Sequence, residues 1–459
     1  MKPNIVITIA DDQQASAIGA LGVCPVQTPA LDSMVKEGVC FRQAHHFGSS
    51  HAAVCAPSRA MLHTGRNYFS LPGPLCTDWQ REMPDEQYRE ALGGIPMLGE
   101  LLGQHGYRTF ATGKWHNGAP AFHKSFQDGA NIFLGGMCDH DQVPLHAYDP
   151  TGEYPKDQLA EAEGFSTDLF CDAALEYLDR LDGDAPFFLY VAFTAPHDPR
   201  TPLPQYDRMY RRQDMPIPPN FLPEHPFDNG DFYVRDELLA DWPRTEERVK
   251  QELGDYYGMI THMDHAIGKI RDALAGKAKL AKKKAGRHRL ENTIFIHTAD
   301  HGLALGQHGL MGKQNLYEHS VRVPLLMTGP DIENRTVDAL VYQHDLFATV
   351  LEAAGIDVPE ACEFQSLWPL IRGRSDSGYP TIMSSYMDGQ RMIKDPQYKL
   401  IRYTSHDGVG VDKVQLFDHV ADPYETVDLA EDSEHAGRVD ELSKELDRRM
   451  VEVGDSLCM

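Results

Sequence analysis

Ile5-Val-Ile-Thr-Ile-Ala10 is a short apolar run closed by the acidic pair Asp11-Asp12, and its reading decides the fold. An apolar run of this length, broken only by Thr8, reads as a buried strand, so the two carboxylates stand at a strand's carboxyl end. The arrangement returns along the chain. Tyr107–Ala111 is followed by Gly113-Lys114-Trp115-His116, and Phe187–Phe193 by Ala195-Pro196-His197-Asp198. Thr293–Thr298 is followed by Asp300-His301-Gly302. Ligand-binding groups of open α/β sheets gather at such strand ends. Helical spacings fill the intervals. Pro96 opens one helix, through Leu98, Leu101 and Leu102, which Gly106 ends. Ser166 is expected to cap a second, carrying Leu169, Ala173, Tyr177 and Leu181. A long apolar face runs from Val249 through Leu253, Tyr256, Ile260, Met263, Ile267 and Ile270 to Leu274. Val323–Met327 reads as another strand, and Asp345 starts a helix through Leu346, Val350 and Leu351. Alternation of this kind predicts an α/β sandwich.

From about residue 375 the pattern changes. Thr381–Tyr386, Tyr398–Tyr403 and Val414–Phe417 are short strand candidates, followed by a helix near 437–451. We therefore expect a catalytic domain over 1–374 and a smaller α+β subdomain with a short antiparallel sheet over 375–459.

Composition narrows the function classes. The 459 residues are 42% hydrophobic, with 43 Lys plus Arg against 68 Asp plus Glu, a formal charge of −25. Such a balance argues against nucleic acid as a partner, because phosphates need a basic footprint. It also means that an anionic substrate binds only where a metal or clustered cations reverse the local field. The basic run around Lys282-Lys283-Lys284 lacks interleaved aromatics and reads as a solvated loop. No apolar run reaches the roughly 18 residues of a membrane span. Met1 leads straight into the first strand with no signal peptide visible, so the chain as written is expected in the cytoplasm, or in the periplasm or outside the cell if a leader was removed. Eight scattered cysteines form no CxxC pair, which gives no sign of a zinc ribbon or a disulfide framework.

One segment carries more specific chemistry. Cys55-Ala-Pro-Ser-Arg59, followed by Ala-Met-Leu-His-Thr-Gly-Arg66, resembles the C-x-P-S-R … T-G-R signature of the type I sulfatases, in the alkaline-phosphatase-like superfamily. The resemblance continues through Gly306-Gln-His-Gly-Leu-Met-Gly-Lys313, Tyr317–Pro324, and the C-terminal Tyr398-Lys-Leu-Ile401, Gln415-Leu-Phe-Asp418 and Asp422-Pro423. It thus runs from Asn4 to about Leu429. It implies an alkaline-phosphatase-like sandwich with a central mixed, largely parallel sheet flanked by helices. It also implies that a maturation enzyme oxidises Cys55 to formylglycine, whose hydrate attacks sulfur and later helps to expel sulfate; a plain serine would leave a stable sulfate ester.

By the same resemblance, Asp11, Asp12, Asp300 and His301 hold one calcium ion together with residue 55. Converging carboxylates need such a cation, and oxygen-rich ligation suits calcium. His301 stands where many members of the family have Asn. Lys114, Lys313 and Arg59 would receive the sulfate group, with Arg59 also pairing with the metal carboxylates. His116 would take the proton of the modified residue. His197 and Lys313 would offset charge on the leaving oxygen. The substrate would be a small sulfated molecule, best read as a saccharide. His45, His46, His51, Asp139, His140 and Arg200 are candidate pocket residues, with His51, His140 and Arg200 singled out to contact it. Two other readings stand beside this one. The chain could be a phosphomonoester or phosphonate hydrolase of the same superfamily, or a silent sugar-binding homologue with Cys55 unmodified.

Overall fold

The opening apolar run forms strand β1 (Asn4–Ala10), and every one of its residues is buried. In this computed structural model, which describes residues 2–77, 84–277, 289–406, 408–455 and 457, β1 lies near the middle of an eight-stranded sheet. The other strands are β2 (Val39–Phe41), β3 (Arg108–Lys114), β4 (Asp128–Phe133), β5 (Phe187–Ala192), β6 (Thr293–Ala299), β7 (Leu325–Thr328) and β8 (Arg335–Val337). Their spatial order is β8-β2-β7-β6-β1-β5-β3-β4. β6, β1, β5, β3 and β4 run parallel, β7 is antiparallel to both its neighbours, and β2 and β8 return to the common direction. Parallel strands are covered on both faces by crossover helices, which is why their sequences are continuous apolar runs rather than alternating ones. The basic run at Lys282–Lys284 lies outside the described residues.

The helices that matter for the site are α1 (Cys55–Thr64), α2 (Ser166–Arg180), α3 (Glu246–Leu274), α4 (Leu346–Ala354) and α5 (Ala436–Val453). The apolar positions expected along α3 are all buried. Thr245 caps α3, accepting the Arg248 N–H. Ser166 is a different matter. It is the first residue of α2 and makes no capping bond; its hydroxyl instead meets His140 Nδ1 and Thr194. A helix also begins at Leu98 rather than at Pro96.

A second sheet contains β9 (Ile382–Tyr386), β10 (Gln390–Lys394), β11 (Tyr398–Tyr403) and β12 (Lys413–Asp418), paired antiparallel in sequence order. β10 was not anticipated: Gln390-Arg-Met-Ile-Lys394 has three polar or charged residues in five and no strict alternation, yet all five are buried. The fifth strand comes from far upstream. Gly48–Ser49 pairs parallel with β9, so the loop before Cys55 is stitched into the C-terminal sheet. Buried ion pairs reinforce the join. Glu318 Oε2 lies 2.9 Å from Lys394 Nζ, and Lys399 Nζ lies 3.3 Å from Glu318 Oε1 and 2.8 Å from Glu425 Oε1. Among the described residues no helix is long and apolar enough to cross a membrane.

Candidate active site

The carboxyl ends of β1, β3, β5 and β6 meet α1 at one point. Backbone bonds extend the ladders past the strands: Phe193 N donates to Ile9 O, Asp11 N to Ala195 O, and Asp300 N to Ala10 O, at 2.9, 3.1 and 3.1 Å. The loops after β1, β5 and β6 are thereby held side by side. Cys55 is the first residue of α1, where the helix N-terminus favours negative charge. One turn on, Ser58 Oγ donates to Asp300 O at 2.7 Å and Arg59 Nε to Asp300 Oδ2 at 3.0 Å, which fixes α1 against the end of β6.

Around Cys55 Sγ, His116 Nδ1 lies at 3.2 Å and Lys114 Nζ at 3.4 Å. Lys114 Nζ also donates to Asp11 Oδ2 at 2.5 Å. Lys114 and His116 do converge, but not as alternate residues of one extended segment. β3 runs on through Lys114, and His116 is turned inward by a left-handed backbone, φ 67°. Asp12 is likewise left-handed, φ 73°. Asp12 Oδ1 faces Lys313 Nζ at 3.1 Å and His301 Nδ1 at 3.2 Å. Lys313 Nζ is also 3.0 Å from His197 Nε2, which makes a second pair of potential proton donors beside the first.

The electrostatics follow from burial opposed by neighbours. Burial would raise the Asp11 carboxyl, but Lys114, with His197, Arg59 and Lys313, outweighs it and holds Asp11 well below the ordinary range. Asp300 is pushed up to about 6, by burial first and then by the Asp11 charge. For Cys55, burial is overcome by Lys114, His116 and Lys313, and the thiol is held well below its usual range. A site surrounded by a chain of net charge −25 is therefore locally positive at residue 55.

Ligand atoms of Asp11, Cys55, Asp300 and His301 lie within 4.8 Å of one another, and so do those of Asp11, Asp12 and His197. Asp11 Oδ1 and His301 Nε2 are buried and make no hydrogen bond. Two orphaned acceptors among converging carboxylates are what a cation would satisfy, so the donor set fits a hard divalent ion. His301 is the one nitrogen donor in it. Asp12, read as a ligand beside Asp11, belongs to the second group and already serves Lys313 and His301.

The expected pairing of Arg59 with a metal carboxylate is present, through Asp300, and its Nη1 also donates to Lys114 O at 2.8 Å. Two other expectations need correction. His140 faces inward: Nδ1 meets Ser166 and Thr194, and Nε2 meets His197 O at 2.9 Å. It supports the His197 loop and does not line a rim. His45 is engaged by Glu318 at 3.2 Å and belongs to the join with the C-terminal sheet. Elsewhere, Arg200 Nη1 pairs with Glu252 on α3 at 2.7 Å. His46 Nδ1 accepts from Gly48 N, and its ring lies 6.3 Å from that of His301. His51 N donates to Ser49 Oγ, and Asp139 is exposed.

Sequence reasoning missed the segment 235–244. Arg235 forks onto Asp198 and also meets Asp236, and Asp236 Oδ2 lies 3.8 Å from Lys313 Nζ. Glu237 and Arg244 form a buried pair at 2.6 Å. Nothing in the spacing of this loop marks these residues, since Arg235 meets Asp198 far upstream and Asp236 and Glu237 meet the 311–313 segment more than seventy positions downstream.

Comparison with known proteins places the chain in a family. The Sulfatase family model matches residues 3–356, and a model described as N-sulphoglucosamine sulphohydrolase, C-terminal, matches 306–452. The chain belongs to the sulfatase family and is a sulfuric ester hydrolase. An ulvan-active sulfatase from Formosa agariphila is 28% identical over 99% of this chain and 82% of its own length. The N-acetylglucosamine-6-sulfatase of Homo sapiens is 28% identical over 86% of this chain and 69% of its own. A structure solved in complex with its substrate D-glucosamine-2-N,6-O-disulfate superposes with a TM-score of 0.77 at 22% identity, covering 99% of both chains. The alkaline-phosphatase-like fold is therefore shared.

Proposed function

We propose that the protein removes a sulfate ester from a saccharide, using a formylglycine made from Cys55 beside one calcium ion held by Asp11, Asp12, Asp300, His301 and residue 55. The observation that carries this reading is the convergence on Cys55 Sγ of His116 at 3.2 Å and Lys114 at 3.4 Å, within a cluster of three further metal-ligating side chains. Cys55 Sγ stands where the oxygen of the modified side chain would be. The aldehyde hydrate would supply a nucleophile that can release sulfate without leaving a stable ester. The metal would supply charge that draws sulfate oxygens in and lowers the proton affinity of a bound hydroxyl.

The chain's own side chains divide the remaining work. Lys114 and Lys313 bind sulfate oxygens, while Arg59 keeps Asp300 ionised and oriented. His116 Nδ1 takes a proton from residue 55, for which its neutral form is required; burial, against the pull of Cys55, lowers its proton affinity. His197 and Lys313, 3.0 Å apart, face the leaving-group side and together hold the proton that the departing alkoxide needs. The relatives named above as acting on N-acetylglucosamine-6-sulfate and on ulvan support a sulfated sugar as substrate.

Three measurements test the reading. Peptide mass analysis of Cys55 after native expression is expected to show the thiol replaced by a carbonyl oxygen, and Cys55→Ala is expected to abolish turnover. Parallel assays with aryl sulfate and aryl phosphate complete the test. Full activity of the variant, or a strong preference for the phosphate, would contradict the proposal; an unmodified, inactive Cys55 would point to a silent homologue.

A further inference from the structure

Lys313 sits on a loop with no regular structure of its own, yet its ammonium must be held to a fraction of an ångström if it is to act on one oxygen. The loop's backbone N–H groups reveal what holds it. Met311 N donates to both carboxylate oxygens of Glu237, at 3.1 and 3.0 Å, and Gly312 N to Glu237 Oε1 at 2.9 Å. The next, Lys313 N, donates to Gln314 Oε1 at 3.0 Å, and Gln314 Nε2 in turn donates to Asp236 Oδ2 at 2.7 Å. Two successive N–H groups thus end on Glu237, and the third is linked to Asp236 through the Gln314 carboxamide. Glu237 is locked in place by Arg244, whose Nη2 donates to its carboxylate at 2.6 Å and to its carbonyl at 2.9 Å, and whose Nε reaches Gly309 O at 3.3 Å.

Gly312 supplies an independent sign that the fit is tight. A Cβ there would stand 2.4 Å from Gln314 Oε1, 3.1 Å from Asp236 Cβ and 3.1 Å from Glu237 Oε1, so it would displace the Gln314 carboxamide that accepts from Lys313 N and press on the acidic pair.

We infer that Asp236 and Glu237, buttressed by Arg244, are positioning residues for the reaction: they clamp the 311–314 backbone and so aim Lys313 at the leaving oxygen. The inference rests on the role proposed above for Lys313. A misaimed Lys313 would matter in proportion to the charge that builds on the leaving oxygen. Poor leaving groups, such as alkyl or sugar alkoxides, depend on it heavily, whereas 4-nitrophenolate departs with little help. A merely structural role would instead lower the rate for every substrate alike.

The experiment compares kcat and KM of the mature, metal-loaded enzyme and of Glu237→Gln, Gly312→Ala and Lys313→Ala on a series of sulfate esters. The series runs from 4-nitrophenyl sulfate to an unactivated sugar sulfate, and thermal melting is recorded in parallel. We expect Glu237→Gln to lower kcat for the sugar sulfate at least about tenfold more than for 4-nitrophenyl sulfate, with KM little changed. Gly312→Ala should show the same pattern, and it carries the test if Glu237→Gln fails to fold. Lys313→Ala should be steeper still. If Lys313→Ala is leaving-group dependent but the clamp variants lose equally on all esters, or lose nothing, the clamp is refuted and Lys313 keeps its role. If Lys313→Ala itself shows no such dependence, the role of Lys313 fails and the clamp with it.

Discussion

At the scale of single residues, the site is a set of buried charges that are costly to hold apart from one another. Asp11 is satisfied on one oxygen by Lys114 at 2.5 Å and left without a partner on the other. Removing the open oxygen should remove the cation while leaving Lys114 an amide oxygen to bind. Asp11→Asn is therefore expected to fold but to lose metal. Calcium at a hundredfold excess over its dissociation constant should stabilise the native enzyme by about 2.7 kcal/mol and the variant hardly at all, read as thermal melting with and without EDTA. Metal analysis that finds equal calcium in both proteins would remove Asp11 from the ligand set. The motif residues Cys55, Lys114, His116 and Lys313 were legible because each follows a recognisable strand or stands in a recognisable signature. Arg59 was legible too, and so was its pairing with a metal carboxylate; which one it meets, Asp300 at 241 positions away, was not.

At the scale of elements, the site depends on strands reaching their ends in register. Gly113 shows how tightly. It lies in β3 with φ 94°, one residue before Lys114, and the β3–β4 register shifts at this point. A Cβ there would fall 1.8 Å from the carbonyl oxygen of Ala192 on β5. Gly113→Ala is therefore expected to force β3 and β5 apart and to destabilise the fold by about 1–3 kcal/mol or more, measured from urea midpoints. Lys114 should be displaced with it, so activity is expected to fall further than the lost stability explains. A fully active Gly113→Ala enzyme of native stability would mean that β3 can shift without harm. Element types were readable from apolar runs and helical spacing, and the strands β1, β5 and β6 were placed to within a residue or two. β10 was hidden because its burial comes from its neighbours in the sheet rather than from its own pattern.

At the scale of the whole molecule, the C-terminal sheet is tied to the catalytic sheet by the strand at Gly48–Ser49 and by the Glu318–Lys394–Lys399–Glu425 network. Burial would raise the Glu318 carboxyl, but Lys394, Lys399 and His45 hold it well below the ordinary range; Glu425 is lowered likewise, against burial, by Lys399 and His419. Carboxylates depressed in the folded state add stability that is fully present above their unfolded value near 4.5 and is lost as pH falls through the folded values. Wild type should accordingly lose stability steeply on acidification below about pH 4.5. Glu318→Gln leaves two buried ammonium groups short of a partner and should cost about 3–5 kcal/mol at neutral pH, with a flatter acid limb. Guanidinium midpoints across pH check both, and parallel acid limbs for the two proteins would rule Glu318 out as the titrating latch.

By itself the sequence determined the class of fold, the sulfatase signature at Cys55 and the strand-end position of nearly every charged group in the site. Those properties are local: an apolar run, a helical spacing or a short motif is complete within a few residues. Tertiary structure alone decided which side chains share atoms. It chose Asp300 as the carboxylate that Arg59 meets and set Asp12 against Lys313. It also spent His140 on the protein's own backbone and brought Asp236-Glu237 against the Lys313 loop. Each of these pairings joins segments far apart in the chain, and their partners are chosen by the packing of the sheet and its loops, about which no short stretch of sequence carries information.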